Sequence, residues 1–381
     1  MKVRVPNYFK EFKCIASKCE DTCCAGWEIV IDEESYEKYK EVRGDFKEEL
    51  RSKIVKSEGE NIFLLNKGNC AFLNEKKMCE IYINLGEEYL CYTCREFPRY
   101  REEFFDLREI GLSLSCPEAA RIILRSKDNI SFYLEEAPKK EEEDLEDFLD
   151  REVFSDFLRG RERIFSFFLE EDFTLREGMA LALYLSRDMQ DKIDLGDMDE
   201  ISSLLDEYED RDFLRKLLKE REEFKGEYSN ILREDLSFYK RIKHINSKDP
   251  LNLEKALEIL SKGEDFYLGK REDFLNYYRE DLYKFKNIFV YFIFRYFMKA
   301  IFDYDISAKV KLAIISTLVI EHLALLRFLE RGEKFTFSDM VEISRIYSKD
   351  IEHSEENVEN LQEFFEREEA FSFENIMALL R

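Results

Sequence analysis

Apolar residues recur at helical spacing through most of the chain beyond residue 149. In LNLEKALEILSKG, apolar side chains at 253, 256, 257 and 260 fall at positions i, i+3, i+4 and i+7. This spacing puts them on one face of an amphipathic helix, and Gly263 follows as a stop signal. DFLRKLLKEREEF repeats the pattern with Leu214, Leu217 and Leu218. The region is therefore predicted to be a bundle of helices.

Two stretches of this region are apolar on most sides. NIFVYFIFRYFMKAIF and KLAIISTLVIEHLALLRFL are therefore predicted to be central helices of the bundle. Phe and Tyr are plentiful here, and aromatic residues at helical spacing belong to a core more often than to a cofactor site. Polar residues interrupt both stretches, which argues against membrane insertion: Arg295, Lys299, Glu321 and His322.

The first 125 residues predict shorter elements. WEIVID alternates weakly and favours a short strand, whereas EESYEKYKEVRGDFKEELRSKI suits a helix opened by Asp32 or by nearby acidic residues. NCAFL and MCEIY are interpreted as short irregular segments around cysteines. Pieces this small form a poor core alone, and a bound metal would supply the missing cross-links.

The expected fold is all-α, mainly helical, in two parts. Residues 1–125 are predicted to form a small cysteine-rich metal-binding domain, and residues 149–381 a helical bundle domain. Between them, residues 126–148 are predicted to be an acidic linker or helix entry, because EEAPKKEEEDLED combines a proline with a run of acids.

The charge distribution restricts the partners. The net charge is −24, and Lys and Arg number 21 against 24 Asp and Glu over residues 1–125, but 39 against 60 in the remainder. Such an acidic chain is a poor candidate for nucleic acid, whose binding depends on Lys and Arg. A cationic partner is electrostatically easier, and the alternative is simply a solvated helical surface. MKVRVPNYFKEFKC contains no apolar run of signal-peptide length, so a soluble cytoplasmic protein is expected.

Nine cysteines dominate the candidate chemistry. All lie between Cys14 and Cys116, whereas the three histidines lie beyond residue 240. In a reducing compartment, an odd number of clustered thiols favours metal ligation or redox chemistry over disulfides. Ligand sets made only of thiolates suit zinc or an iron–sulfur cluster. Adjacent Cys23 and Cys24 can scarcely bridge each other, so one ligates while the other packs, or each serves a different metal.

These motifs carry a family resemblance. FKCIASKCEDTCCAGWEIVID, GNCAFLNEKKMC, TCREFPR and LSLSCPEAAR, in that order, resemble the flagellin lysine N-methylase family and its zinc- or iron-chelating cysteine domains. The resemblance covers about the first 120 residues. It implies methyl transfer from S-adenosylmethionine to lysine ε-amines of flagellin, with an iron–sulfur cluster, expected to be 4Fe-4S. Cys91 is the cysteine left over, and eight fall on the family pattern: Cys14, Cys19, Cys23, Cys24, Cys70, Cys79, Cys94 and Cys116.

Familiar cofactor folds do not fit this sequence. No two of its thirteen glycines are closer than six residues, so it contains neither a G-x-G-x-x-G turn nor a P-loop. There is also no strand–helix alternation to build a doubly wound sheet. Radical S-adenosylmethionine enzymes use C-x3-C-x2-C, whereas here Cys24 directly follows Cys23. A methylase of unusual design is expected, with the cofactor near a cysteine-held metal.

Methyl transfer to lysine requires a neutral amine, so some group must desolvate it or accept its proton. Catalytic candidates in or beside the motifs are Tyr8, Asp21, Tyr82, Tyr92 and Glu96.

Cofactor contacts have their own candidates. Trp27, Tyr8 and Phe97 are candidates for stacking on a sulfonium, and Arg95 and Arg99 for pairing with the methionine carboxylate. Structural roles compete: Trp27 as the cap of a small core, Phe97 in a packed turn, and Arg99 as a clamp on a helix or carbonyl.

Two other functions fit the cysteine spacing. One is a zinc-stapled protein-interaction module, which would be colourless and would not bind S-adenosylmethionine. The other is an iron–sulfur electron-transfer or redox protein, which would be coloured but indifferent to that cofactor. Thiolates suit zinc and iron–sulfur clusters alike, so spacing alone does not separate these alternatives from a methylase.

Overall fold

The computed structural model describes residues 1–25, 27–57, 59–136, 150–169, 173–244 and 249–381. Its architecture is mainly helical, which confirms the predicted fold class. Residues 137–148 of the predicted linker lie outside the described residues.

Within the described residues, strands occur only before residue 137. They are β1 (Lys2–Pro6), β2 (Ile54–Ser57), β3 (Glu60–Phe63), β4 (Leu65–Asn66), β5 (Asn69–Cys70), β6 (Arg99–Phe104), β7 (Leu107–Leu112) and β8 (Phe132–Glu136).

Five short helices lie among the strands, and the others follow them. The five are α1 (Glu33–Glu41), α2 (Phe46–Ser52), α3 (Glu80–Leu85), α4 (Tyr92–Glu96) and α5 (Pro117–Arg125). The later helices are α6 (Arg151–Ser166), α7 (Leu175–Leu195), α8 (Ile201–Glu207), α9 (Arg211–Arg221), α10 (Tyr228–Tyr239), α11 (Leu253–Leu260), α12 (Glu264–Tyr277), α13 (Tyr283–Tyr296), α14 (Ala300–Asp303), α15 (Ile306–Glu330), α16 (Phe337–Glu352), α17 (Glu355–Arg367) and α18 (Phe373–Leu380).

A four-stranded sheet was not predicted from the sequence. Its order is β6-β7-β1-β8, with β1 parallel to β7 and antiparallel to β8. Strands β6 and β7 form an antiparallel hairpin. The sheet therefore joins the N-terminal strand to residues more than a hundred positions later.

The cysteine-bearing residues between β1 and β6 form a module with its own small core. The single helix predicted from residue 33 is two helices, because Gly44 between them takes a φ of +94° that favours glycine. Asp32 caps α1 as predicted, its carboxylate accepting the Ser35 N–H at 2.9 Å. WEIVID forms only an isolated bridge from Val30 to Ile62 rather than a strand.

The bundle matches the predicted helices closely. Helices α9, α11, α13 and α15 fall on the four stretches singled out by periodicity. Gly263, at φ +98°, separates α11 from α12. α15 packs against α7, α13, α16 and α17. Among the described residues, only α15 has the length and hydropathy of a membrane span, and 89% of its apolar window is buried inside the protein.

One apolar core crosses the predicted boundary at residue 125. It contains Tyr8, Phe12 and Leu112 from the N-terminal part together with the bundle helices. A separate, smaller core lies within the cysteine module and includes Tyr39, Phe63 and Phe72. The sheet and the bundle therefore share one core, while the cysteine module has its own.

A buried ion pair also ties the sheet to the bundle. Arg161 of α6 is 0% exposed and Glu109 of β7 is 2% exposed. Arg161 donates to both carboxylate oxygens of Glu109, with Nη1 to Oε2 at 2.7 Å. Arg4 of β1 lies 3.9 Å from the same carboxylate.

Candidate metal centre and the seam beside it

The cysteines lie in loops, on a short strand and at the beginnings of short helices. Cys79, Cys91 and Cys116 immediately precede α3, α4 and α5. Burial raises the pKa of Cys79 and Cys116, and backbone N–H groups of the following helical turn act in the opposite direction. The pKa of Cys91 is lowered, first by its hydrogen bond with Cys94 and then by backbone N–H groups of α4.

Five thiols gather beside the small core of the cysteine module: Cys24, Cys70, Cys79, Cys91 and Cys94. We call them the five-thiol set. Burial raises the pKa of Cys70 to about 12, and nearby charge on Cys24, Cys79 and Cys91 adds to the rise. A hydrogen bond between Cys91 and Cys94 raises the pKa of Cys94 and lowers that of Cys91. Cys91, which does not fall on the family's cysteine pattern, therefore lies with the other thiols.

Four thiols form a second group at the edge of the module: Cys14, Cys19, Cys23 and Cys116. We call them the four-thiol set. Burial raises the pKa of Cys116 to about 11, and charge on Cys19 and Cys14 acts in the same direction. Cys23 is within electrostatic range of Cys14 and Cys116. In this set, Cys14, the first cysteine of the chain, lies near Cys116, the last.

Cys23 and Cys24 are the point at which the two sets meet. Their Sγ atoms are 4.0 Å apart. The hydrogen bond that Cys24 receives from Cys23 lowers the pKa of Cys24 to about 7, against the opposing effect of burial. This arrangement suits the predicted alternative in which the adjacent cysteines serve different metals.

The donor chemistry of both sets fits a thiophilic metal. Each contains at least four cysteines, and zinc and iron–sulfur clusters are commonly held by four thiolates. Within the described ranges, no group of three or more His, Cys, Asp or Glu side chains is already arranged to hold a metal ion. The sulfurs would have to draw together around the metal.

Asp21, a catalytic candidate between two of these cysteines, is held by ion pairs from the bundle. Its carboxylate pairs with Arg345 and, at 3.0 Å, with Lys349, both on α16. Although burial opposes the effect, Lys349 and Arg345 hold the pKa of Asp21 below its usual value. Asp21 is therefore an anionic link between the cysteine loop and α16.

Trp27 and Phe97 come together with a residue that sequence reasoning missed. His353, just after α16, has its ring centroid 5.0 Å from that of Trp27 and 5.9 Å from that of Phe97. Trp27 and Phe97 are themselves 5.9 Å apart, and the indole N–H donates to the Cys23 carbonyl at 2.9 Å. At these distances the three rings pack directly on one another, so a ligand would contact only their outer faces.

The tyrosine candidates do not share one place. Tyr8 is buried, which raises its pKa, and it lies within electrostatic range of Tyr291 of α13. Tyr82 and Tyr92 are 46% and 43% exposed on the cysteine module.

Glu96, Arg95 and Arg99 lie on or just after α4. Glu96 pairs with Arg101 at 2.7 Å and with Arg95 at 3.8 Å. Arg99 stacks over Phe12, its guanidinium carbon 5.2 Å from the ring centroid. This stacking on an aromatic ring is a different contact from the clamp on a helix or carbonyl that was considered for Arg99.

A buried polar network adjoins the Trp27, Phe97 and His353 rings. Glu352, the last residue of α16, accepts hydrogen bonds from Tyr291 at 2.8 Å and Tyr296 at 3.1 Å, and pairs with Arg295 at 3.0 Å. Tyr291 also accepts the backbone N–H of Leu114 at 3.3 Å. We call the region between the cysteine module and the end of α16 the seam. The sequence carried no signal for it, because its residues are far apart in the chain.

Comparison with known families accounts for both parts of the chain. The model of the FliB lysine N-methylase C-terminal domain matches residues 161–379. The CxxCxxCC model, which describes a zinc- or iron-chelating domain, matches residues 13–110. No solved structure matches.

Curated relatives carry related names. A Flagellar biosynthetic protein FliU of Salmonella muenchen is 33% identical over 143 residues, covering 33% of this chain and 79% of that protein. A Lysine-N-methylase of Salmonella typhimurium is 32% identical over 143 residues, covering 33% of this chain and 33% of that protein. The match thus spans about a third of the methylase.

The family model covers more than half of the chain, in the region where the sequence analysis found no motif. The cysteine motifs, which lie in the first 120 residues, had indicated the same family. The resemblance is therefore confirmed: the chain belongs to the FliB lysine N-methylase family.

Proposed function

We propose that this protein transfers methyl groups from S-adenosylmethionine to lysine ε-amines of flagellin. The observation that carries the proposal is the match to the lysine N-methylase model across residues 161–379, joined in one chain to a chelating cysteine domain. Arg345 of α16 pairs with Asp21, and His353, just after α16, packs on Trp27. These contacts between the bundle and the cysteine module support a function that needs both parts of the chain.

The cysteines divide between two centres in this proposal. The four-thiol set would hold one metal centre, and the five-thiol set another, with Cys24 either ligating there or packing beside it. The residues fit a 4Fe-4S cluster, with zinc as the alternative, because each set supplies at least four thiolates. Such a centre supplies cross-linking of the short elements, and in the iron–sulfur form it also supplies electron transfer.

The cofactor is assigned to the neighbourhood of the seam. The outer faces of Trp27 and Phe97 would contact the sulfonium through cation–π attraction, and both side chains are only half-buried. Arg95, whose side chain is 47% exposed, remains available to pair with the methionine carboxylate. Arg99 is less suited because its guanidinium stacks on Phe12.

The acidic surface supports a lysine-bearing substrate. The net charge of −24 attracts a positively charged protein segment and speeds its encounter with the enzyme. A substrate such as flagellin would be met in the cytoplasm, which is where we place the protein.

The test begins with protein purified without oxygen. Its visible spectrum and its iron, sulfide and zinc contents identify the metal, and incubation with methyl-labelled S-adenosylmethionine and flagellin then tests transfer to lysine. Brown, iron-containing protein that labels flagellin is the expected result. Absence of labelling with metal-replete protein would overturn the proposal, and colourless zinc protein that binds no S-adenosylmethionine would favour the interaction module.

A further inference from the structure

Glu352 makes an asymmetric set of contacts at the seam. Its Oε2 is shared by the hydroxyls of Tyr291 and Tyr296 and by the guanidinium of Arg295. Its Oε1 is buried and has no hydrogen-bond partner among the described residues. The side chain as a whole is 0% exposed. One oxygen of this carboxylate is therefore saturated while the other is available to a donor.

Two neighbouring residues also have a buried polar atom without a partner: Oη of Tyr100 and Nδ1 of His353. The Tyr100 ring centroid lies 4.5 Å from the Arg295 guanidinium carbon, so it adjoins the Glu352 network. His353 follows Glu352 in the chain and bonds Ser115 Oγ through Nε2 at 2.8 Å. Folded proteins pair nearly all buried polar groups, so three open ones on adjoining residues indicate a place for a ligand.

A primary amine has the chemistry that these groups lack. Oε1 of Glu352 is an acceptor, and Nδ1 of His353 is a second acceptor in the tautomer whose Nε2–H donates to Ser115. Burial, with Lys349 and Arg295 nearby, lowers the pKa of His353 to about 3, so its ring is neutral at physiological pH. An ammonium brings three N–H donors and no acceptor. The seam is thus suited to a cation that donates hydrogen bonds.

The seam is not sealed from solvent. Trp27, Phe97, Tyr100, Arg295 and His353 are each only partly buried, and an amine would have to enter along the edge that they form. Their rings can line the apolar stem of a lysine side chain. An amine entering along this edge would pass the aromatic residues before it reached the carboxylate.

The other buried carboxyl with unpartnered oxygens has a different character. Both oxygens of Asp235 in α10 lack a partner, and burial raises its pKa well above the usual range. A protonated Asp235 has no carboxylate to attract an ammonium. Glu352 differs in its contacts, because the Arg295 guanidinium pairs with it and two tyrosine hydroxyls donate hydrogen bonds to it.

We propose that the seam receives the ε-amine of the acceptor lysine and that Oε1 of Glu352 accepts its proton. This inference rests on the proposed methylase function. The ammonium gives one proton to Glu352, and its nitrogen lone pair then forms a bond to the methyl carbon of S-adenosylmethionine. The carbon–sulfur bond breaks with its electron pair remaining on sulfur, which leaves as a neutral thioether. The lysine product is a methylammonium.

The first test replaces Glu352 by its neutral isostere, Glu352→Gln. We expect methyl transfer to flagellin at pH 7 to fall by about 100-fold or more, the range for loss of a proton acceptor, while binding of S-adenosylmethionine stays within about twofold. As pH rises toward the lysine pKa, the fraction of neutral amine grows about tenfold per pH unit. The ratio of variant to wild-type rate should therefore increase from pH 7 to 9.

Glu321→Gln is the matched control. Glu321 is also a buried carboxylate held by arginines, Arg176 and Arg271, but it lies on α15 in the bundle. If both variants lose methyl-transfer activity equally, and the loss follows the fall in their melting temperatures and metal contents, Glu352 has a structural role and the inference is overturned. A Glu352→Gln rate ratio that does not change with pH would also overturn it.

A binding test separates this inference from the proposed function. Trp27 is the only tryptophan of the chain and touches His353, so its fluorescence reports on the seam. Nα-acetyl-lysine amide should change this emission in wild type but not in Glu352→Gln, whereas the Nε-acetylated compound should change neither. No amine-dependent change in an active wild-type enzyme would overturn the seam alone. Absence of methyl transfer despite this change would overturn the methylase proposal and leave an amine-binding site.

Discussion

Breaking the Glu109–Arg161 pair should destabilise the junction between sheet and bundle more than its two hydrogen bonds alone suggest. Both side chains are almost completely excluded from solvent. In Glu109→Gln, the guanidinium of Arg161 would remain buried with no counter-charge. Arg4 would be left beside it as a like charge, and burial together with Arg161 already holds the pKa of Arg4 below its usual value.

The expected cost follows from desolvation. Removing one partner of a buried ion pair typically costs about 3–5 kcal/mol, because the remaining charge stays uncompensated. Glu109→Gln should fall in this range. Arg161→Met should cost less, because Arg4, 3.9 Å from Glu109, still offers a positive charge to the carboxylate. The double variant Glu109→Met/Arg161→Met should lie close to wild type, within about 2 kcal/mol, since both members of the pair are removed and Arg4 keeps Glu162 as its partner.

Urea unfolding followed by circular dichroism measures these differences through the transition midpoints. Asp206→Asn is the control, since Asp206 pairs with Arg159 of the same helix α6 at 2.8 Å but is 70% exposed. An exposed pair contributes about 1 kcal/mol or less. If Glu109→Gln unfolds at the same urea concentration as Asp206→Asn, the reasoning from burial is wrong. A double variant less stable than the sum of the single variants would also refute it.

Three further predictions concern pH, the link to α16 and the metal. Burial lowers the pKa of His322 from 6.5 to about 4, so as pH falls the unfolded chain protonates at this histidine before the folded chain does. About 3 kcal/mol of stability should therefore be lost between pH 6.5 and 4. The melting temperature of His322→Gln should depend less steeply on pH than that of wild type. Asp21→Asn removes the counter-charge of Arg345 and Lys349 and should cost about 1 kcal/mol, with faster proteolysis of the cysteine loop as the readout. Cys116→Ser should lose only the metal bound by the four-thiol set, and Cys70→Ser only the metal bound by the five-thiol set. If either variant loses all of its metal, the thiols serve one centre.

Helical periodicity was sufficient to predict the bundle because each helix carries its signal locally. Leu253, Ala256 and Leu260 are spaced for one face, and all three are buried in α11. The sheet was missed for the opposite reason. β1 pairs with β7 and β8, which lie more than a hundred residues away, and its five residues, KVRVP, are too short a run for their alternation to stand out.

The cysteine chemistry was predictable in kind but not in grouping. Nine thiols in about a hundred residues indicate metal ligation whatever the fold. Which thiols lie together depends on how the loops return. Cys14 and Cys116 come into electrostatic range because both ends of that segment lie beside the sheet. Cys91, which the family pattern left over, lies with Cys94 because α4 begins between them.

The seam shows the limit of motif-based reasoning. His353 meets Ser115 across 238 positions of sequence, Arg345 meets Asp21 across 324, and Tyr291 meets Glu352 across 61. Arg345, Tyr291, Glu352 and His353 belong to no motif of the sequence. They become distinctive because α16 carries Arg345 and Glu352, and His353 directly follows that helix. Motifs locate groups that act with near neighbours in sequence, whereas an amine site built between two parts of a fold becomes visible only when those parts are placed against each other.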